Sequence, residues 1–278
     1  MMMKPIDYAL ILTTAVASLG SASAATLTYT TGLDVWLDSS DIDGAGNTTL
    51  TEGDNIGTWT NKGTTGANNA TRNGGTASFS TTSGVGGGAG VTLSNSLFQF
   101  GGDFTDSTSY TMYFMVERSA TSGAGGTLFN DYGPGNSLLM VRTGDSGSGA
   151  RDAGGDQDYI ANGPSVDVDD TLLTLKFTLD GSTGDITWGP VGSTTSATIA
   201  NYDGTDFTTD HPTTLFGFWD GNNSHDFNGT ISQVLIYDHV LDAGQQAQVE
   251  SYLASVPEPS SAALLGLGGV ALLLRRRK

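Results

Sequence analysis

The sequence predicts an all-β fold: an antiparallel β-sandwich in jelly-roll form, with one short C-terminal helix. Short runs of β-type residues recur along the whole chain, and most of the 40 glycines lie between these runs, as turns require. A capped amphipathic segment follows the last run. Many strands with one terminal helix are typical of two antiparallel sheets packed on each other.

The strand candidates show two patterns. Leu33 to Asp38 and Leu173 to Leu179 alternate apolar with other side chains, the period of two that is typical of a strand. Tyr110 to Val116 is a continuous apolar run, which predicts a strand buried on both faces. The remaining candidates are Leu138 to Val141, Ile186 to Trp188, Leu215 to Trp219 and Ile231 to Tyr237, with turns at Asp180-Gly181 and Gly221-Asn222.

The helix is predicted from its cap. Asp242 can accept hydrogen bonds from the first free backbone N–H groups, and Gln245 at the third helical position completes a capping box. Three apolar residues then share one helical face: Val249, Tyr252 and Leu253. Pro257 would end any extension of this helix. We expect the strands and the helix to form one folded domain over residues 25–255.

The first residues contain the three ordered parts of a secretory signal. Lys4 supplies a positive charge, Ala9 to Leu19 a short apolar stretch, and Ala22-Ser23-Ala24 the small residues that signal peptidase recognises. We therefore expect residues 1–24 to be a signal peptide, with cleavage between Ala24 and Ala25. The protein would then be exported.

The last residues, 256–278, predict a membrane tail. Pro257, Glu258 and Pro259 precede an apolar run from Ala262 to Leu274 and a basic end. As a helix, this run would reach about 20 Å, which spans a membrane only marginally and suits a temporary anchor. These ordered features resemble the PEP-CTERM sorting tail of Gram-negative bacteria. The resemblance implies export across the inner membrane, transient anchoring, removal of the tail by an exosortase, and release to the cell envelope or extracellular matrix.

Removing both predicted ends makes the remaining module more acidic. The whole chain carries −18, and the ends hold five of the 11 basic and two of the 29 acidic residues, which leaves −21. This balance argues against nucleic acid as a partner, because phosphate binding needs a basic face. Divalent cations and neutral glycans fit it better. The chain has no cysteine, which excludes thiolate metal sites and cysteine nucleophiles.

Two segments of the module carry a family pattern. The first has a Trp-x-Asp strand, a Gly/Asp loop and a Trp-x-x-x-Gly stretch that runs into Asn-Ala, with the carriers Trp36, Asp38, Trp59, Gly63, Asn69 and Ala70. The second is a final strand and helix, with the carriers Gly229, Ile231, Val234, Ile236, Tyr237, Leu241, Val249 and Tyr252. Both segments resemble the LamG/concanavalin A-like jelly-roll domains of bacterial secreted proteins. The resemblance implies the fold, but this fold hosts lectins, adhesion modules and hydrolases alike.

An acidic loop follows the first strand candidate. Its carboxylates fall at positions 1, 3 and 12 of an EF-hand-type calcium loop, and Gly46 falls at position 6, where that loop turns sharply. Ala45 at position 5 removes one ligand, so the segment predicts either a weak calcium site or a solvated acidic loop. The candidate calcium ligands are Asp41, Asp43, Asn47 by its carbonyl, Thr49 through water, and Glu52.

The residues give little support to catalysis. Glycoside hydrolases pair two carboxylates in one cleft, yet the chain has four glutamates and no Glu-x-Asp-x-Glu strand. No Gly-x-Ser-x-Gly or His-Glu-x-x-His motif accompanies the three histidines. We therefore expect a non-catalytic surface or matrix module that associates with polysaccharide, with a divergent polysaccharide-active hydrolase as the alternative. Among the tryptophans, Trp219 beside a polar loop is the candidate sugar contact, and the others are expected in the core.

Overall fold

The computed structural model describes residues 26–64, 69–100, 110–119, 126–132, 138–142, 149–151, 157–159, 172–180, 183–188, 195–199, 213–217 and 226–256. From residue 131 to 199 the description concerns the backbone alone. The predicted signal peptide with Ala24 and Ala25, the tail from Pro257 onward, and Trp219 lie outside these ranges.

The described chain contains short strands, a 3-10 helix at Val85–Gly87 and one terminal helix, α1 (Ala243–Ser255). In chain order the strands are β1 (Leu33–Asp38), β2 (Thr58–Trp59), β3 (Ala70–Asn73), β4 (Thr76–Ser80), β5 (Gly90–Ser94), β6 (Leu97–Phe100), β7 (Thr111–Arg118), β8 (Thr127–Tyr132), β9 (Leu138–Arg142), β10 (Gly149–Arg151), β11 (Gln157–Tyr159), β12 (Leu172–Asp180), β13 (Thr183–Trp188), β14 (Thr195–Ile199), β15 (Thr214–Leu215) and β16 (Gly229–Tyr237).

These strands form two sheets, and their pairings are antiparallel. The first sheet has the order β14-β13-β12-β7-β16-β5-β4, with β1 also paired to β16. The second has the order β11-β10-β9-β8-β15-β6-β3-β2. The predicted antiparallel β-sandwich with one short C-terminal helix is confirmed.

The core lies between the two sheets. Alternate residues of β1, β6 and β7 point inward, so both sheets contribute apolar side chains to one cluster. From the first sheet these include Val35, Leu37, Met112, Phe114, Val116, Ile231 and Val234, and from the second Trp59, Ala70, Phe98, Phe100, Phe129 and Leu215.

A second apolar layer covers the outer face of the first sheet. Strand β7 sends Met112, Phe114 and Val116 into the sandwich and Tyr113 and Met115 to this outer layer. The outer layer is completed by α1, whose buried side chains are Val249, Tyr252 and Leu253. Burial on both faces explains the continuous apolar run that the sequence shows at this strand.

The helix begins as predicted. Asp242 Oδ1 accepts hydrogen bonds from the backbone N–H groups of Gly244 (2.8 Å) and Gln245 (2.9 Å), and Gln245 Oε1 accepts one from the backbone N–H of Asp242 (2.8 Å). This is the reciprocal capping box, and it fixes where the helix leaves the last strand. No helix in the described ranges is both long and apolar enough to cross a membrane.

The strand predicted from Leu215 to Trp219 is wrong after Leu215, as the described residues 213–217 show. Strand β15 comprises Thr214–Leu215, because Phe216 adopts a φ of 69°, a left-handed conformation that ends a strand. The aromatic ring still packs in the core, where it is fully buried. The apolar pattern therefore predicted the burial of this segment correctly, but not the end of the strand at Leu215.

Strand β16 has two partners in turn along one edge. Its first residues, Gly229–Ile231, pair with β5, and its last residues, from Gln233 to Tyr237, pair with β1. At Ser232, between them, the register with β7 shifts, which indicates a bulge. Ser232 accepts hydrogen bonds from the backbone N–H of Val85 at Oγ (2.8 Å) and from that of Ser39 at its carbonyl (2.9 Å). The end of β1 and the 3-10 helix therefore meet at this point.

Candidate functional site

A pocket of about 500 Å³ opens where β1 and β5 separate, on the outer face of the first sheet. Its volume lies in the range of small-molecule sites. The lining comes from β1, β16, the 3-10 helix and α1, and includes Trp36, Asp38, Lys62, Val85, Gln233 and Tyr252.

Strand register brings the central polar pair together. Trp36 and Asp38 are two residues apart on β1, so their side chains leave the same face of the sheet. Asp38 lies directly opposite Gln233 of β16, and Gln233 Nε2 donates a hydrogen bond to Asp38 Oδ1 at 2.8 Å. The alternation that the sequence shows in β1 therefore gives an inward apolar face and an outward face that lines the pocket.

Asp38 is a nearly buried carboxylate with four donors. Besides Gln233, the backbone N–H of Ser40 (2.9 Å) and its hydroxyl (2.6 Å) donate to Oδ1, and Lys62 Nζ donates to Oδ2 at 3.0 Å. The exposed fraction of the Asp38 side chain is 7%. Charge-assisted hydrogen bonds of this kind fix the carboxylate in one orientation.

Lys62 joins two carboxylates and an aromatic ring. Its backbone N–H donates to the carbonyl of Trp36 (2.9 Å), which places the lysine along the outer edge of β1. The ammonium lies 3.0 Å from Asp38 Oδ2, 3.1 Å from Asp41 Oδ2 and 4.3 Å from the centroid of the Trp36 ring. Burial lowers the pKa of Lys62, but the charge of Asp38 and hydrogen bonds to both carboxylates outweigh burial and raise it. Lys62 is therefore charged throughout the neutral range.

Gln233 orients the two aromatic side chains that line the pocket. Its Oε1 accepts hydrogen bonds from Trp36 Nε1 (3.3 Å) and from the hydroxyl of Tyr252 (3.5 Å). The rings of Trp36 and Tyr252 meet edge to face, with centroids 6.1 Å apart and planes at 87°. A single amide thus orients both rings and the carboxylate, and the partly buried Trp36 is held rigidly.

The pocket combines apolar walls with fixed polar groups. It offers aromatic and aliphatic walls next to oriented hydrogen-bonding groups, the combination typical of small-molecule sites. Here one ammonium group is shared by both pocket carboxylates, Asp38 and Asp41.

Asp43 organises the neighbouring acidic loop. Its carboxylate accepts hydrogen bonds from the backbone N–H groups of Ala45 (2.8 Å) and Asn47 (2.9 Å) and from Thr49 Oγ1 (2.8 Å). The hydrogen bond from Ala45 is the largest cause that holds the pKa of Asp43 below its ordinary value of 3.8. Gly46 has a φ of 71°, so the sharp turn predicted at this glycine is present.

The other predicted calcium ligands have separate partners. Asp41 Oδ1 accepts from the backbone N–H of Gly46 (2.7 Å) while Oδ2 faces Lys62, and Glu52 Oε2 accepts from the backbone N–H of Thr81 at 2.7 Å. Within the described ranges, no three acidic or histidine side chains lie together as a metal site requires. Calcium binding stays a prediction, and it requires Asp41 and Glu52 to exchange these partners for the ion.

We expect Asp43→Ala to lower the melting temperature in the presence of a chelator, because three donors then lose their acceptor. A carboxyl whose folded pKa is depressed stabilises the fold above its ordinary pKa, and this stabilisation is lost as the pH falls through the folded pKa. The difference between wild type and variant should therefore narrow below about pH 3.8. Thermal unfolding of the full-length protein across the acid range measures it.

The exposed neighbour Thr48 supplies the control Thr48→Ala, which should leave the melting temperature unchanged. Calcium is tested in the same samples. A rise of a few degrees in wild type at millimolar calcium, absent from Asp41→Ala and Glu52→Gln, would confirm the calcium prediction. An unchanged wild type, or an equal rise in all variants, would contradict it.

The sequence predicted the position of only some of the residues in and near the pocket. Trp59 is fully buried, as expected of a core tryptophan, whereas Trp36 is partly buried and lines the pocket instead of the core. The roles of Lys62, Gln233 and Tyr252 were missed. The Trp-x-Asp spacing on β1 carried a signal, because it places both side chains on one face, but their partners depend on strand register.

Comparison with known proteins identifies the motif at the C-terminus. Residues 255–278 match the family model of the PEP-CTERM protein-sorting motif, which confirms the sorting motif predicted at the C-terminus. No curated protein matches the chain. The fold and this motif together describe an antiparallel β-sandwich with a C-terminal protein-sorting motif.

Two solved structures share the fold at low identity. Domain 4 of AbnA, a GH43 extracellular arabinanase from Geobacillus stearothermophilus in complex with arabinotriose, is 15% identical with a TM-score of 0.52, over 73% of this chain and 99% of that one. A GH54 α-L-arabinofuranosidase soaked with 4-nitrophenyl α-L-arabinofuranoside is 14% identical with a TM-score of 0.51, over 82% of this chain and 60% of that one. At these identities the likeness shows the β-sandwich alone and does not single out the LamG domains.

Proposed function

We propose that this protein is an exported, non-catalytic module of the cell surface or extracellular matrix that associates with polysaccharide. The observation that carries the proposal is the PEP-CTERM protein-sorting motif at residues 255–278, joined to a β-sandwich with a preformed aromatic and polar pocket. The finer fold assignment is a LamG/concanavalin A-like jelly roll over residues 25–255.

The proposed route has two processing steps. Signal peptidase removes residues 1–24 during export across the inner membrane, and the tail, residues 256–278, anchors the protein transiently. An exosortase then removes the tail and releases the module to the cell envelope or extracellular matrix. The Pro-Glu-Pro motif, the apolar run and the basic end support this order of events.

Association with polysaccharide is supported by the pocket and by the solved relatives of the fold. Rigid tryptophan and tyrosine rings beside oriented carboxylate and amide groups fit a sugar, which has apolar ring faces and many hydroxyl groups. One of the similar structures holds arabinotriose, and the other was soaked with an arabinofuranoside. A non-catalytic role is supported by the sequence, which has four glutamates and no Glu-x-Asp-x-Glu strand of the kind that places paired carboxylates in one cleft.

Co-sedimentation and turnover can be measured in one sample. Protein isolated from its native host is mixed with the host's extracellular polysaccharide and centrifuged, and new reducing ends are measured in the supernatant. We expect the protein to pellet with the polysaccharide while the reducing ends stay at the level of the protein-free control. Intact-mass analysis of the same protein should show a start near Ala25 and no basic end, Arg275 to Lys278.

Each contrary result removes a separate part of the proposal. Protein that stays in the supernatant contradicts the association with polysaccharide. Release of new reducing ends favours the alternative, a divergent polysaccharide-active hydrolase. A retained basic end on released protein contradicts removal of the tail by an exosortase.

A further inference from the structure

We propose that the pocket beside Trp36 holds one uncharged sugar unit of a polysaccharide, an inference that rests on the proposed function and gives it a site and a ligand class. The residues that would contact the sugar are Trp36, Tyr252, Asp38 and Ser40. They come from β1, the residues just after it, and α1.

The aromatic part of the pocket is fixed before any ligand arrives. Trp36 is partly buried, its indole N–H donates to Gln233, Lys62 lies over its ring, and Tyr252 contacts it edge to face. A ring held at this many points loses little freedom on binding, which favours affinity. Val85 extends the apolar wall, while Gly88 and Ala89 leave room beside it.

The polar part of the pocket can receive hydroxyl groups. Asp38 Oδ1 accepts three hydrogen bonds, whereas Oδ2 accepts one, from Lys62. Because Oδ2 has fewer donors than Oδ1, it is the oxygen that can accept a further donor such as a sugar hydroxyl. Ser40 and Lys62 add polar groups at the mouth, since Ser40 is exposed and a quarter of the Lys62 side chain is exposed.

Stability alone does not account for this polar network. A buried ion pair is often no more stabilising than apolar residues of similar volume, because removing charges from water is costly. The sequence nevertheless places Asp38, Lys62 and Gln233 against an apolar layer that includes Leu235 and Val85. A network that orients acceptors toward an open pocket is explained by a ligand with hydroxyl groups.

The charges of the pocket select an uncharged ligand. Asp38 and Asp41 contribute two negative charges and Lys62 one positive charge, so the site is negative by one unit. The whole chain is also acidic, with a net charge of −18. A uronic acid or a sulfated sugar would bring a further negative charge close to Asp38, in a setting where like charges repel strongly.

The test uses trisaccharides prepared from the polysaccharide with which the full-length protein co-sediments. An acid hydrolysate is separated by anion exchange into neutral and acidic trisaccharides, and dissociation constants are measured by ligand-observed NMR titration. We expect the neutral fraction to bind more tightly than the acidic one. Trp36→Phe, which keeps an aromatic side chain against Tyr252, should weaken neutral binding about tenfold.

The matched control is Tyr29→Ala. Tyr29 is another partly buried aromatic residue packed on the same outer layer, but it lies outside the pocket lining. This variant should lose some stability and keep wild-type affinity, which separates binding from folding. A circular dichroism melt of each variant verifies that the fold is retained at the titration temperature.

The possible failures are distinguishable. If the protein co-sediments with polysaccharide but Trp36→Phe binds as tightly as wild type, the pocket is not the site, and the proposed function stands. Tighter binding of the acidic fraction overturns the ligand class. If wild type binds no polysaccharide at all, the proposed function and this inference both fail.

Discussion

The Asp38→Ala variant is expected to melt well below wild type, because it removes the acceptor of four hydrogen bonds at the junction of β1 and β16. Breaking a buried ion pair from one side commonly costs 3 to 5 kcal/mol, and Lys62 keeps Asp41 as a partner here. We therefore expect a loss of about 2 to 3 kcal/mol and a fall in melting temperature of roughly 5 to 10 °C. Thermal unfolding of the full-length protein measures it.

Asp41→Ala is the matched control, since Asp41 contacts the same ammonium group. Its side chain is 23% exposed, against 7% for Asp38, and an exposed ion pair contributes little to stability. We expect a change in free energy of unfolding of less than about 1 kcal/mol. Equal losses of unfolding free energy in Asp38→Ala and Asp41→Ala would show that the burial of Asp38 does not determine how much its contacts stabilise the protein.

Trp59→Ala should produce the largest loss of stability. Trp59 is fully buried between the sheets, packs edge to face on Phe98 with ring centroids 6.0 Å apart, and donates its indole N–H to the carbonyl of Asp38 at 3.2 Å. Truncating a core tryptophan leaves a cavity and costs about 3 to 5 kcal/mol. The melting temperature should fall by roughly 6 to 20 °C, as followed by circular dichroism.

Trp36→Ala provides the comparison, because Trp36 is the other tryptophan of the same sequence pattern. Trp36 is partly buried beside an open pocket, so its removal creates no enclosed cavity, and the expected loss is clearly smaller. If the two variants were equally destabilised, Trp36 would be a core residue and its place in the binding site would be contradicted. Trp59→Phe, which fills part of the volume, should fall between wild type and Trp59→Ala.

The sequence predicted the fold because its signals are local. Alternation in β1, the continuous apolar run of β7 and the capping box of α1 each depend on residues close in the chain, and the structure places all three as expected. The Trp-x-x-x-Gly stretch also has a clear physical basis. A Cβ atom at Gly63 would lie 2.1 Å from the carbonyl oxygen of Asp34, so only glycine fits against β1 there.

The site could not be predicted in the same way, because its partners are distant in the chain. Gln233 meets Asp38 only through the register of β16 against β1, a separation of 195 residues. Tyr252 was correctly placed on the buried face of the helix, but nothing local shows that it borders Trp36. The acidic loop shows the opposite problem: its spacing resembles a calcium loop, but Asp41 pairs with Lys62 and Glu52 accepts a hydrogen bond from Thr81.

A crystal structure of the protein with calcium and a neutral oligosaccharide from the host's own polysaccharide shows whether the pocket beside Trp36 binds a sugar. We expect an intact oligosaccharide with one sugar unit against Trp36 and a hydroxyl group within hydrogen-bond distance of Asp38 Oδ2. An empty pocket with the sugar bound elsewhere, or a cleaved oligosaccharide in the pocket, would contradict it.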